Sequence, residues 1–171
     1  MPGSRFASRV AIVTGAGAAD GIGAAVAREL VSEGARVLLA ATSDRVHDRA
    51  AEIGDAAVGL VGDLTVESTA EILVRSALDR WGRLDILVNN AGMTSVSAGW
   101  DADGDVAHLS LADWDAAIAR NLTTAFLMCR AAVRDVPGPR VCIVRDRGGA
   151  GRRRWSQLAG DVAKTIDRRE R

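Results

Sequence analysis

Five short apolar runs, Val10 to Val13, Val37 to Ala40, Val58 to Val61, Ile86 to Val88 and Val141 to Val144, are separated by segments whose apolar residues recur at helical spacing. Runs this short and this uniformly apolar fit strands buried on both faces. Strands that alternate with helices need the long crossovers of a parallel sheet, which excludes all-α and all-β architectures. The pattern predicts an α/β fold with a doubly wound parallel sheet of about five strands.

Between the strands, Ile22, Val26, Leu30 and Val31 mark a helix that stops at Gly34, and Val46 to Ile53 a modest amphipathic one. Ser68 to Trp81 predicts a helix with Ile72, Leu73, Ala77, Leu78 and Trp81 inward, ended by Gly82. Ser110 with Asp113 three residues later reads as a capping box opening one long helix, with an apolar stripe of Trp114, Ile118, Leu122 and Phe126. Met93 to His108 is a polar, acidic loop.

The chain's 22 basic and 22 acidic side chains divide unevenly. Residues 1 to 133 hold 11 basic and 17 acidic groups, net −6, and residues 134 to 171 hold 11 and 5, net +6. A Rossmann-type unit over residues 1 to 144 and an irregular Arg-rich tail over 145 to 171 follow as the expected domains. Arg152-Arg153-Arg154 has only Trp155 as an aromatic neighbour, a poor platform for nucleic acid, so no nucleic-acid partner is expected. No run approaches the roughly 18 apolar residues of a membrane span, and Met1 to Ser8 lacks the core of a signal peptide, so the expected location is the cytoplasm without membrane contact. Cys129 and Cys142, His47 and His108, and the calcium-loop-like Asp101 to Asp105 all lack metal-site spacing, and no metal is expected.

The first apolar run leads into Thr14-Gly15-Ala16-Gly17-Ala18-Ala19-Asp20-Gly21-Ile22-Gly23. Glycines here let backbone amides approach a pyrophosphate while the next helix presents its positive end. Any tight strand-to-helix turn also wants glycine, so the loop's place between a strand and a helix is what points to a phosphate.

With four further features in order, Asp63-Leu64, the Asp85-Ile86-Leu87-Val88 run, Asn89-Asn90-Ala91-Gly92 and Asn121, the chain resembles the short-chain dehydrogenase/reductase family, and its loop Ala40 to Arg45 is similar to that of the 3-oxoacyl-acyl-carrier-protein reductases within it. The glycine loop matches that family's T-G-x-x-x-G-x-G with two extra residues between Gly15 and Gly21. The resemblance implies a Rossmann-like fold, hydride transfer to a small carbonyl or acyl-thioester substrate, and a dinucleotide held by Gly15, Gly17, Gly21, Ile22 and Gly23. It implies that Asp63 takes the adenine amino group, Leu64 borders the ring, and Asn89, Ala91 and Gly92 line the ribose and nicotinamide side. Ala41 stands where NAD enzymes carry an acid, while Thr42, Ser43 and Arg45 can bind a 2′-phosphate. NADP is therefore favoured, with NAD kept open by the nearby Asp44. Asp20 either turns back to cap the helix or weakens phosphate binding.

Carbonyl reduction needs a proton donor, which the family supplies as Tyr in Y-x-x-x-K with a Ser beside it. This chain has no Tyr; its single Lys, Lys164, has Gly160 four residues earlier, and Arg140 to Asp146 lacks the Ser. Of the family's catalytic set only Asn121 remains. The motif resemblance fades after Val133, the boundary of the charge division. The expectation is an oxidoreductase family member that is truncated or frame-shifted, inactive as this chain, with an incomplete family oligomer interface. Ile143-Val144-Arg145, if encoded ATC-GTC-CGT, reads Ser-Ser-Val one base later. The alternative is a non-catalytic NADP(H)-binding module or regulatory partner of an intact homologue.

Overall fold

The computed structural model describes residues 5–92 and 107–136, and the backbone of residues 142–145. Five parallel strands, β1 (Val10–Thr14), β2 (Arg36–Ala41), β3 (Ala57–Val61), β4 (Ile86–Asn89) and β5 (Cys142–Arg145), form one sheet in the order β3-β2-β1-β4-β5. The helices are α1 (Ile22–Ser32), α2 (Arg45–Ile53), α3 (Glu67–Trp81), α4 (Leu111–Ile118) and α5 (Thr124–Asp135), with a π turn, Ala119–Thr123, joining the last two. The α/β doubly wound sheet is the architecture that the alternation predicts. Residues 93–106 and 146–171, which hold most of the acidic loop and nearly all of the basic tail, lie outside the described residues.

Strand alternation divides the core into two layers. Ala11 and Val13 of β1 with Val37 and Leu39 of β2 face α1 and α2, meeting Ala27, Leu30, Val46 and Ala50. Val10, Ile12, Leu38 and Ala40 point the other way, onto Leu73, Val74 and Ala77 of α3 and Met128 and Ala131 of α5. All five β1 residues are buried, which fits a central strand covered on both faces.

Helix ends follow their local chemistry. Gly82 closes α3 in the left-handed region at φ +74°, donating its amide to Leu78 O at 2.7 Å. Ser110 caps α4, its Oγ accepting from Asp113 N at 3.1 Å. At the amino edge of the sheet, Asp85 is buried and accepts from Val10 N at 2.9 Å, Arg9 Nη1 at 3.1 Å and Arg83 Nε at 2.8 Å. Burial pushes its carboxyl up, but the hydrogen bonds from Arg83, Val10 and Arg9 outweigh that and hold it below the usual carboxylate range.

Two details of the helical reading need correction. Ile72 is 55% exposed and points away from the sheet, because α3 buries Ala70, Leu73, Val74 and Ala77 instead. The helix from Leu111 is not one continuous α-helix: the π turn interrupts it, Trp114, Leu122 and Phe126 are about half exposed, and the buried face of α5 is Thr124, Leu127, Met128, Ala131 and Ala132. No helix among the described residues is long and apolar enough to cross a membrane.

Candidate functional site

The strand order reverses at β1, since the chain builds outward through β2 and β3 and then returns to place β4 on the other side. Loops leaving neighbouring strands at such a reversal diverge to opposite faces and leave a crevice at the carboxyl ends. A cleft of about 680 Å³ lies there. It is lined by Gly15, Gly17 and Ala18 after β1, by Ala41, Thr42, Ser43 and Arg45 at and after β2, and by Gly62, Asp63, Leu64 and Thr65 after β3. Ala91 and Gly92 after β4 and Ala116, Ala119, Arg120 and Thr124 on the helical wall complete it.

The floor is held by one hydroxyl. Thr14 is buried; its Oγ1 donates to Val88 O at 3.2 Å and accepts from Asn90 N at 3.1 Å and Ala91 N at 3.0 Å, tying the end of β1 to the turn after β4. Asn90 returns the contact, Nδ2 donating to Thr14 O at 2.9 Å and Gly15 O at 3.1 Å. Gly15 adopts φ +70°, and a Cβ there would lie 2.8 Å from Ala91 Cα, so both conformation and space demand glycine. A Cβ on Gly23 would meet Asn90 Nδ2 at 2.7 Å and Gly15 O at 2.8 Å, which is why α1 can start so close under the loop.

On the β3 side, Asp63 Oδ1 accepts from Thr65 N at 2.9 Å and Thr65 Oγ1 at 2.7 Å. Those two hydrogen bonds, amide first, hold its carboxyl below the usual carboxylate range, with the positive charge of Arg120 adding to them. On the β2 side, Arg45 Nε donates to Ser43 Oγ at 3.3 Å, so the guanidinium is drawn toward the loop rather than out along α2. Asp20 does not cap α1: the N-cap is Gly21, with no side-chain hydrogen bond.

Nine of the residues singled out from sequence, Gly15, Gly17, Thr42, Ser43, Arg45, Asp63, Leu64, Ala91 and Gly92, line this one cleft. Gly21, Ile22, Gly23, Asn89 and Asn121 do not. Gly21 and Gly23 shape the start of α1 beneath it; Asn89 is buried with Nδ2 donating to Cys129 Sγ at 3.3 Å. Asn121 Nδ2 donates to Ala117 O at 3.0 Å, and its Oδ1 lies where a Cβ on Gly92 would come within 2.9 Å, so it borders the cleft through Gly92. Sequence reasoning missed Thr65, Arg120 and Thr124. Arg120 adjoins Asn121 in the same helix, and Thr65 stands two residues after Asp63 where an Asx-type turn would use it.

A model of the short chain dehydrogenase family matches residues 9–157. The chain belongs to the short-chain dehydrogenase family. The match runs past Val133, where the motif resemblance fades, and takes in β5. Among curated relatives, the chain is 35% identical over 131 residues to 1,6-dihydroxycyclohexa-2,4-diene-1-carboxylate dehydrogenase of Pseudomonas putida, covering 75% of this chain and 46% of that protein. It is 32% identical over 163 residues to sorbitol dehydrogenase of Cereibacter sphaeroides, covering 94% and 60%. The chain thus spans about half the length of these relatives. A crystal structure of 3-ketoacyl-(acyl-carrier-protein) reductase from Brucella melitensis complexed with NADH superposes with a TM-score of 0.66 at 30% identity, over 73% of this chain and 48% of that one.

Proposed function

We propose that this chain is the cofactor-binding portion of an NADP(H)-dependent short-chain oxidoreductase acting in the cytoplasm on a small carbonyl or 3-oxoacyl thioester. By itself it binds the dinucleotide without completing turnover. The observation that carries the reading is that nine residues from four different loops, after β1, β2, β3 and β4, line one cleft at the switch in strand order. The dinucleotide unit reaches at least Arg145, the last residue of β5, so the boundary expected at residue 144 falls inside that strand.

When bound, the nicotinamide supplies a hydride. This chain's own residues account for the holding of it: backbone amides of the Gly15 to Gly23 loop and the start of α1 for the pyrophosphate, and Asp63 for the adenine amino group. Ala41 presents no carboxylate to a 2′-phosphate, and Thr42, Ser43 and Arg45 offer donors and a cation for it, which favours NADP over the NADH seen in the Brucella neighbour. Turnover fails because the sequence has no tyrosine to donate the proton.

Titrating the chain with NADPH and NADH by intrinsic tryptophan fluorescence, followed by an acetoacetyl thioester assay, tests both halves. The expected result is tighter binding of NADPH than NADH and no turnover. Absence of binding by either cofactor would refute the dinucleotide reading, and measurable turnover would refute the inactivity. Binding without turnover is equally what a regulatory NADP(H)-binding partner would show, and restoration of activity by mixing with an intact homologue would favour that second role.

A further inference from the structure

The helical wall of the cleft carries a cation that the family motifs do not account for. Arg120 lies in the π turn, its carbonyl accepting from Thr124 Oγ1 at 3.0 Å, and it lines the cleft together with Ala116, Ala119 and Thr124. Ala116 and Ala119, with short side chains, line the same cleft. The same cleft is lined by Asp63 and Leu64, and Arg120 is near enough to Asp63 for its charge to favour the ionised carboxyl.

A carboxylate, an apolar side chain and a planar cation lining one cleft, the cation within electrostatic reach of the carboxylate, suit a flat heterocycle bearing an amino group. The carboxylate accepts from the amine, the apolar side chain covers ring surface, and a guanidinium is attracted to the π face. Lysine at this place would supply charge without the plane.

We propose that Arg120 is a further cofactor-binding residue whose guanidinium stacks on the purine of the adenosine half. The assignment rests on the reading of the cleft as a dinucleotide site. It locates the contribution of Arg120 at one end of the ligand, which fragments can separate.

The whole chain and its Arg120→Met and Arg120→Lys variants would be titrated calorimetrically with NADPH, with 5′-AMP and with nicotinamide mononucleotide, and their urea midpoints compared. Arg120→Met keeps the length of the stem and is expected to weaken NADPH and AMP by about tenfold, with Arg120→Lys nearly as weak. Nicotinamide mononucleotide binding and the urea midpoints are expected to stay level, since Arg120 is exposed. Unchanged NADPH and AMP affinity in Arg120→Met would overturn this assignment while leaving the dinucleotide reading intact. Full recovery with lysine, or an equal loss for nicotinamide mononucleotide, would overturn stacking on the adenosine half. Failure of the unaltered chain to bind NADPH would overturn the dinucleotide reading and this assignment with it.

Discussion

Replacing Thr14 by valine removes one oxygen from the floor of the cleft and keeps nearly the same shape. Thr14 is 1% exposed, and its hydroxyl serves three backbone groups, Val88 O, Asn90 N and Ala91 N. Asn90 N retains a second acceptor in Val88 O at 3.1 Å, so the loss falls mainly on Ala91 N and on one bond to Val88 O. A neutral hydrogen bond contributes about 0.5–1.5 kcal/mol, and an amide left without an acceptor costs about 1–3 kcal/mol. Ala91 is only partly buried, so water recovers some of that, and a destabilisation of about 2 kcal/mol is expected. For a chain of this size that corresponds to a fall in Tm of about 4–8 °C. Thermal melts by far-UV circular dichroism and urea titrations by tryptophan fluorescence measure it, with Thr14→Ser as the companion that keeps the hydroxyl. If Thr14→Val falls within about 0.5 kcal/mol of the parent, or if serine is no better than valine, the hydroxyl is not what joins β1 to the turn after β4.

Gly23→Ala places a methyl group against Asn90 Nδ2 and Gly15 O and should cost about 1–3 kcal/mol through overpacking, read as a lower urea midpoint. Asp85 has its carboxyl lowered in the folded chain, so its stabilisation is complete above the ordinary carboxylate range and disappears as pH falls through the folded-state value. The urea midpoint of the parent should therefore decline below about pH 4, while Asp85→Asn starts lower at pH 7 and the gap between them narrows on acidification. A constant gap across that range would remove Asp85 as the source of the acid sensitivity.

The sheet was readable because its central strands β1 and β4 are buried along their length and leave uninterrupted apolar runs, as Val10 to Val13 does. The cofactor loops were readable because glycine at positions 15 and 23 answers to a backbone conformation and a close approach that few other residues satisfy. The wall formed by Arg120 and Thr124 was not, because a cation and a hydroxyl on a helix look the same in sequence whether they face a cleft or solvent. The apolar stripe of Trp114, Leu122 and Phe126 was legible, but which way it faces was not: these residues are about half exposed, and α5 turns Thr124, Leu127, Met128, Ala131 and Ala132 inward instead.

A π turn takes up one more residue than the α-turn it replaces, and one residue of an α-helix corresponds to about 100° of rotation. The residues of α4 and α5 are therefore counted on two scales offset by one position. Shortening the chain by a single residue within Ala119–Thr123 could convert the turn to regular α-helix while keeping Leu127 and Met128 aimed at the sheet. The same deletion in the middle of α3 would swing Leu73 or Ala77 out of its layer. The π turn beside the cleft is thus a place where this fold can absorb a change in length, next to the residues that give the cleft its charge.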